Sequence, residues 1–445
     1  MTPESVAWLE LAVALSMLGA LAVSRLRDVE SAARWTLAFS GAALACIAMA
    51  RAFGSAELLN PLVGRRVLTL EGVSGVVLPA VALLHFLIAL TTVRTKAGRF
   101  SFGGLLVGDA LRLATFACPD PTVLAVLLAV NVLPPYFDLV RRGKSTRVYS
   151  IHMTLFVALL AGGLVAESPA LLMGAVLVRC GTFPVHVWVT DLIENASFGN
   201  ALLFVTPLTG MYAAVRLVLP TAPDWVLQGI GAMSLVTAVY AAGMAVVQTD
   251  ARRFFAFLFL SHSALVLVGM ELHTSISLTG ALALWVSGVL ALGGLGLALR
   301  ALEGRFGRLA LTEYRGLYNH SPLLAVFFLL SGLAAVGFPG TRGFVAAELL
   351  VDGAVGVKPL VGLAVAAAAA LNGIAVLRAY LLLFTGARHT TGVALGVTPR
   401  ERVAVLALAA LIIGGGLVPQ YHIESSSRAA VSLLQNRETT STAGH

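Results

Sequence analysis

Residues 275–299 read SISLTGALALWVSGVLALGGLGLAL and contain no charged side chain. An α-helix rises 1.5 Å per residue, so about 20 mostly apolar residues cross the hydrocarbon core of a bilayer. The stretch is long enough and apolar enough to do so. It therefore predicts a transmembrane helix.

The rest of the chain has the same character. Of its 445 residues, 58% are hydrophobic and 12% are charged, and the mean hydropathy is +0.90, whereas a soluble domain carries about 25% charged residues. We therefore predict an all-α integral membrane protein of about fourteen transmembrane helices, multi-pass in the cell inner (plasma) membrane. The first span lacks a preceding basic region and is expected to be retained. The predicted spans are 6–23, 32–50, 73–93, 101–118, 121–140, 150–166, 168–189, 198–219, 225–247, 254–272, 275–299, 321–355, 359–386 and 402–418.

Charge between the spans predicts their orientation. Basic residues cluster in alternate loops, as cytoplasmic loops do, so both termini are expected outside. Two loops disagree, one with Arg51, Arg65 and Arg66 and one with Asp191 and Glu194. The net charge of +8 lies in short clusters and forms no basic face, which argues against nucleic-acid binding. The basic clusters are Arg25, Arg27, Arg34; Arg94, Lys96, Arg99; Arg141, Arg142, Lys144, Arg147; Arg252, Arg253; Arg300, Arg305, Arg308, Arg315; and Arg388, Arg400, Arg402.

Two of the spans are interrupted, near Pro184 and near Pro339. Proline removes a backbone donor and clashes with the preceding turn, so both helices are expected to break within the membrane. Breaks at corresponding places in two halves indicate inverted repeats around an ion path; the alternative is two kinks that serve packing alone. The expected division is 1–100 for N-terminal helices, 101–219 and 225–386 for two repeats, and 387–445 for a last helix and a loose polar tail from His422.

The sequence lacks the motifs of metal sites, disulfide frameworks, nucleotide binding and hydrolase catalysis. Cys46, Cys118 and Cys180 are far apart in apolar stretches, so no metal site or disulfide framework is predicted. There is no phosphate-binding loop, dinucleotide fingerprint or hydrolase constellation. We expect no cofactor and no enzyme activity of the chain on its own.

Four ordered blocks resemble the antiporter-like membrane subunits of respiratory complex I and the Mrp antiporters. The resemblance runs from about Leu68 to Pro419, and it implies a fourteen-helix fold with two inverted five-helix repeats. The family carries protons on a midplane chain of Glu and Lys, and here its seventh-helix Lys is replaced by Arg179. Its twelfth-helix Lys falls on Ala347, beside Glu348. The blocks are RCGTFPVHVWVTD (179–191), VQTDARRFFAF with SHS (247–257 and 261–263), GFPGTRGF (337–344) and RAYLLLFTG (378–386).

Five residues are predicted to lie on an ion path. An ionisable residue in the membrane is expensive and usually functional, which singles out Arg179 and Glu348. Arginine stays protonated, so Arg179 is expected to act as a fixed charge; structural ion pairing is the alternative for both residues. His186 lies just past a break and is expected to extend a water-filled half-channel, since histidine titrates near physiological pH. The family's fifth-helix Glu falls near Val130 or Asn131, and His262 is a single histidine on an apolar helix. The alternative for His262, as for His85 and His152, is a core side chain, and Asp109 and Arg112 could simply pair.

Three functions compete at this point. Because residues of the family's midplane Glu and Lys chain are replaced here, the chain resembles DabB-type subunits of inorganic carbon (bicarbonate/CO₂) accumulating complexes. Such a subunit would conduct protons to energise a large, zinc-containing DabA-like partner. The second is a proton- or sodium-translocating subunit of a respiratory (complex I-like, quinone oxidoreductase) or Mrp-type complex. The third is a scaffold without conduction. In each case the partners would be other membrane subunits and the lipid bilayer.

Overall fold

A computed structural model describes residues 6–56, 58, 66–92, 100–272, 274–386 and 396–443. These residues form α-helices and contain no β-strand. The basic residues Arg65, Arg94, Lys96, Arg99 and Arg388 lie outside the described part. The helices are α1 (Trp8–Ser24), α2 (Val29–Phe53), α3 (Val73–Leu90), α4 (Phe102–Ala117), α5 (Pro121–Val130), α6 (Leu133–Arg141), α7 (Arg147–Val165), α8 (Pro169–Cys180), α9 (Val187–Asn195), α10 (Phe198–Val205), α11 (Thr209–Ala213), α12 (Asp224–Val247), α13 (Ala251–Glu271), α14 (Ser275–Phe306), α15 (Pro322–Ala335), α16 (Arg342–Val357), α17 (Pro359–Phe384), α18 (Pro399–Leu417) and α19 (Gln420–Ala443).

Each predicted span coincides with one helix or with a pair of consecutive helices. Within the described ranges, nine segments are long and apolar enough to cross a membrane, with Pro121–Arg141 and Phe198–Val218 each counted as one, or ten with the bent pair α18–α19. Several of the other predicted spans are short helices, such as α1 and the broken segment α8. The all-α membrane architecture is confirmed, and the count of fourteen stays a prediction.

The centre of the bundle is formed by α13 and α14. The most apolar 18-residue window of each helix is completely buried inside the chain. Helix α12 packs along α13, while α3, α15 and α16 pack around α14. These outer helices separate the central pair from lipid, so polar side chains on the central pair face protein.

The break near Pro184 is confirmed. Helix α8 ends at Cys180 and α9 begins at Val187. Gly181 between them has φ +68°, and a Cβ there would lie 2.6 Å from Val189 Cγ2. The freed backbone is satisfied locally, since Thr182 N–H donates to Leu177 O and Phe183 N–H donates to Thr237 Oγ1 on α12.

The break near Pro339 is also confirmed, between α15 and α16. Gly337 has φ +82°, and a Cβ there would lie 2.7 Å from Ala347 Cβ. Phe338 N–H donates back to Leu333 O and closes the end of α15. Glycine is needed at this point because no other residue fits both the conformation and the space.

Two further interruptions were not predicted. Span 121–140 divides at Asn131–Val132 into α5 and α6, and span 198–219 divides before Leu208, whose φ is +53°. The indole of Trp285 on the central α14 donates to Pro207 O at this second interruption, at 2.9 Å. A buried hydrogen bond thus satisfies a carbonyl that a continuous helix would have paired itself.

The prediction of a loose tail was wrong. Residues from Gln420 form helix α19, which turns by 77° from α18 and packs on α14 and α3. Ala429 and Ala430 are buried, and Arg437 donates to Leu219 O and to the Asp224 carboxylate. Helix α19 is polar on average, but small buried residues on one face anchor it to the bundle. Mean hydropathy averages over all faces of a helix and cannot detect such a face.

The acidic loop that disagreed with the charge pattern lies among basic residues. Glu194 accepts from Arg253 Nε at 2.9 Å and pairs with Arg308 at 3.4 Å. Arg308 also donates to Asp250, and Arg142 donates to Asn195 O in the same loop. Glu194 therefore neutralises basic residues at one end of the bundle. The segments that carry Arg142, Arg253 and Arg308 meet at that end.

Candidate functional site

Arg179 lies in the last turn of α8, immediately before the first break, and is 3% exposed. Its guanidinium carbon is 4.1 Å from the centre of the Phe204 ring and 5.6 Å from that of Trp188. Nε and Nη2 donate to no described residue. The ring faces stabilise the cation while leaving two of its donor groups uncommitted.

His186 lies at the start of α9, on the other side of the same break, and its side chain is surrounded by rings. Tyr240 contacts it edge-on at 5.4 Å between centroids, and Phe183 stacks at 5.9 Å. The ring Nδ1 is buried and has no hydrogen-bond partner in the described part of the chain. The break thus places Arg179 and His186 at its two ends, each with uncommitted polar atoms.

Asn131 occupies the interruption between α5 and α6. Its amide Nδ2 donates to Thr115 Oγ1 at 2.6 Å and to Leu127 O at 3.0 Å. These bonds tie the interruption to α4. An amide cannot exchange a proton at neutral pH, so Asn131 can orient water or neighbouring groups but cannot carry charge.

His262 on the central α13 lies between two backbone carbonyls. Nδ1 is 3.1 Å from Ala335 O, the end of α15 at the second break, and Nε2 is 3.2 Å from Leu284 O on α14. A neutral imidazole has one N–H and can donate to one of these oxygens, whereas the protonated ring donates to both. Both ring nitrogens therefore face a backbone acceptor at the point where the second helix breaks.

Glu348 lies on the outer surface of α16. Its side chain is exposed, and it forms no hydrogen bond or ion pair with a described residue. The nearby Arg342 packs against Gly415 of α18 instead and interacts electrostatically with His422. Glu348 is therefore brought together with neither Arg179 nor Arg342, and its side chain faces outward from the chain.

Sequence reasoning missed a buried cluster beside Arg179. Arg112 Nε donates to His85 Nε2 at 2.9 Å, and the Asp109 carboxylate lies 3.6 Å from His85 Nδ1. Ser16 donates to Asp109 Oδ2 at 2.9 Å. Arg112 and Arg179 are close enough to repel each other. Asp109 and Arg112 do not form the expected direct pair, because the guanidinium is bound to a histidine from another helix.

A cavity of about 330 Å³ reaches this cluster from the basic end of the bundle. Arg141 and Asp138 line it at that end, and Arg112 lines it further in. Arg112 is 4% exposed, and its Nη1 has no partner among the described residues. The cavity is large enough for water, and the Arg112 side chain that lines it is bonded to His85.

The described residues contain no group of three or more His, Cys, Asp or Glu side chains placed to hold a metal ion. Apart from the cluster around Arg112, the polar groups described above are single side chains near helix interruptions. Such sites suit the binding and release of protons or small cations in transit.

The model of the family described as "NADH:quinone oxidoreductase/Mrp antiporter, TM" matches residues 143–372, which is more than half of the chain. The matched segment contains both broken helices and Arg179, His186, His262 and Glu348. The chain belongs to this family.

Relatives of the antiporter family show how far the likeness extends. NADH-quinone oxidoreductase subunit 13 of Thermus thermophilus is 28% identical over 326 residues, which cover 65% of this chain and 69% of that subunit. Other curated relatives are matched over as little as 36% of their length, as for F(420)H(2) dehydrogenase subunit M of Methanosarcina mazei. The activity of a whole relative therefore cannot be assigned to this chain from the sequence match alone.

Solved structures confirm the antiporter-family fold. A chain of respiratory complex I from Thermus thermophilus with bound NADH superposes with a TM-score of 0.86 at 22% identity, covering 96% of this chain and 99% of that one. A chain of the Mrp complex from Dietzia sp. DQ12-45-1b gives 0.84 at 20% identity, covering 99% of both. This chain is therefore a multi-pass, antiporter-like membrane protein.

Proposed function

We propose that this chain is an ion-translocating subunit of a multi-subunit membrane complex of the respiratory or Mrp type. The observation that carries the proposal is the pair of broken helices, with buried Arg179 ending one and His262 contacting the end of the other. A translocating subunit needs polar groups inside the membrane that are not all locked in structural bonds. Arg179 and His186 meet that requirement, and His262 adds an ionisable ring at the second break.

In this proposal Arg179 supplies a fixed field. Its charge does not change, because a guanidinium keeps its proton. His262 is the titratable group of the second half, and His186 and Asn131 orient water at the two interruptions of the first half. Glu348 exchanges ions with a neighbouring subunit, since it lies on the outer surface of α16.

The partner is a further membrane subunit of such a complex. Relatives of this chain carry the names of NADH-quinone oxidoreductase subunits, and an Mrp complex has a chain of this fold. The expected link to inorganic carbon and to a DabA-like zinc protein gains no support from these likenesses. The respiratory or Mrp-type assignment therefore replaces it as the main proposal, and the chain is proposed to act only within its complex.

The test is to tag the chain in its native host, purify the assembly in mild detergent and reconstitute it in vesicles. We expect further membrane subunits to co-purify. We expect a quinone-linked reductant or an imposed sodium gradient to change the internal pH, as reported by an entrapped pH-sensitive dye. Arg179→Ala should remove the signal without loss of co-purifying subunits. An intact assembly that moves no ion under either driving force would favour the scaffold, and co-purification of a zinc protein with bicarbonate uptake would restore the inorganic carbon hypothesis.

A further inference from the structure

We propose that Asp109 is a proton-binding carboxylate whose protonation decides whether Arg112 bonds to it or to His85. The inference deepens the proposed function, on which it rests, by assigning the titratable group of the first half. Sequence comparison with the family points to Arg179 in this region, but a guanidinium keeps its proton and so cannot release and rebind one. The cluster of Ser16, His85, Asp109 and Arg112 supplies a group that can.

The bonding of Asp109 differs from that of other buried carboxylates in the chain. Glu303 accepts three hydrogen bonds from Arg252, at 2.7 to 3.1 Å. Glu401 is held by both terminal nitrogens of Arg305. Asp109 is as deeply buried, at 2% exposed, yet it accepts one bond, from a serine, and its Oδ1 has no hydrogen-bond partner in the described ranges.

Arg112 is positioned to bind Asp109 but does not. Residues three apart on a helix lie on the same face, so the guanidinium has the carboxylate within its range. It donates instead to His85 Nε2. An arginine bonded to an ionised carboxylate gains the attraction between opposite charges in addition to the hydrogen bond, which a neutral imidazole cannot supply. The choice of a neutral imidazole over the nearby carboxyl group is therefore the arrangement that a protonated Asp109 produces.

The histidine is fixed in one tautomer by its two bonds. Nε2 accepts from Arg112, so the proton of a neutral ring is on Nδ1, where Val81 O accepts it at 3.0 Å. The ring is neutral in this state because a protonated imidazole has no lone pair left for Arg112. His85 thus acts as an alternative acceptor that holds Arg112 while the carboxylate is neutral.

The movement of Arg112 between His85 and Asp109 would change the electrostatic field around it. His85 is the ionisable group from a packed helix that lies nearest the Asp109 carboxylate, and Arg112 interacts electrostatically with the same carboxylate. Arg112 also interacts with Arg179 and Tyr149. Loss of the proton creates a negative charge that draws Arg112 from His85, and this changes the field at Arg179. The other titratable groups on helices packed against α4 are Glu10 on α1, Glu30, Arg34, Arg51 and Cys46 on α2, Tyr136, Asp138 and Arg141 on α6, and Tyr212 on α11.

The proton balance is simple. In the proposed cycle a hydrated proton enters the cavity that Arg112 lines and passes the Arg112 side chain. It then forms an O–H bond with Asp109 Oδ1 and leaves a water molecule. Release is the reverse step and returns the proton to water. One positive charge enters and leaves the cluster in each cycle, and the two arginines keep theirs throughout.

Infrared difference spectroscopy of the purified native assembly tests this assignment. Protonated carboxyl groups absorb apart from carboxylates, so a pH-difference spectrum reports Asp109 directly. We expect Asp109→Asn to remove one protonated-carboxyl band and to abolish ion flux. The matched control is Asp352→Asn, which changes an exposed acid of α16 and should leave that band unchanged. An Asp109→Asn spectrum identical to that of the wild type would overturn the proposal.

A second variant tests the switch without altering the carboxylate. In His85→Leu the alternative acceptor is gone, so Arg112 should turn to Asp109 and keep it ionised, and the band should vanish. A purely structural role for His85 would leave the band in place, and that result would also overturn the proposal. This variant decides the question if Asp109→Asn fails to assemble. Absence of ion flux in the wild type would count against the proposed function alone, because the band is measured without transport.

Discussion

The guanidinium carbon of Arg179 lies 4.1 Å from the centre of the Phe204 ring, at the end of a helix that stops inside the bundle. A planar guanidinium can stack on a ring and keep its edge for water, whereas a lysine ammonium is a compact point charge. A desolvated cation–π contact contributes about 2 kcal/mol. The position is therefore built for a charge that stays in place.

Two substitutions of Arg179 should distinguish the effect of its positive charge from the effect of its ring contacts. Arg179→Ala should abolish ion flux in vesicles while the complex remains assembled. Arg179→Lys should retain part of the flux, because the charge survives but the stacking is weaker. Flux and subunit stoichiometry are measured on the same preparation. Loss of assembly in the Ala variant that Lys does not restore would show that Arg179 has a structural role.

A substitution at Gly288 on α14 can test the position of the His262 ring while the histidine itself is unchanged. A Cβ at this position would overlap the His262 ring. Gly288→Ala should therefore displace the ring from Leu284 O, lower stability by about 1–3 kcal/mol and reduce flux. Gly243→Ala on α12 is the matched control, since a Cβ there meets open space. Equal melting temperatures for the two variants in detergent would contradict the packing described for His262.

Glu348 should matter to the complex and not to the isolated chain. Because its side chain makes no bond within the described residues, Glu348→Gln should leave the melting temperature of the purified subunit unchanged. It should reduce ion flux in the whole complex, where the carboxylate meets a neighbouring subunit. Asp352→Asn, one turn further along the same exposed face, should affect neither. Full flux in the Glu348→Gln complex would remove Glu348 from the ion path.

The buried pair Arg252–Glu303 should be far more important to stability than an exposed pair. Removing one partner of a buried ion pair costs about 3–5 kcal/mol, because the other charge stays desolvated. The Glu303 side chain is 4% exposed, so Glu303→Gln should lower the melting temperature strongly. Glu424→Gln disrupts a pair whose side chains are 66–72% exposed, and its effect should stay within about 1 kcal/mol. Thermal unfolding of both variants checks the contrast.

Orientation can be tested at two loops that share one end of the bundle. Reporter fusions at Arg142 and Arg308 should both report a cytoplasmic location, because basic residues favour that side. Both arginines contact the loop that ends α9, so they must give the same answer. Periplasmic signals at both points would reverse the orientation, and opposite signals would contradict the packing itself.

The sequence predicted those parts of the fold that depend on local chemistry. Pro184 and Pro339 lie in short glycine-containing stretches, and the two breaks there were found. The interruptions before Pro134 and at Pro207 carry the same proline signal, but they lie in continuous apolar runs. A hydropathy window averages across such a run and reports one span.

The candidate site was predictable only in part, because its bonds join distant segments. Arg112 reaches His85 across 27 positions, and Ser16 reaches Asp109 across 93. Spacing along one helix suggested an Asp109–Arg112 pair, and the third partner that prevents it comes from α3. Arg179 was found because a lone charge beside a break is visible in sequence, whereas its ring contacts are tertiary.

The broken helix α8–α9 also constrains how the protein is made. Helices of 12 and 9 residues are about 18 and 14 Å long, too short for either to cross a bilayer by itself. Trp188 of α9 donates to Val178 O of α8, and Phe183 between them binds Thr237 of α12, a helix translated later. Lipid can therefore hold this segment only as a weakly inserted intermediate during synthesis. Its final placement must wait until α12 has emerged from the ribosome and entered the membrane.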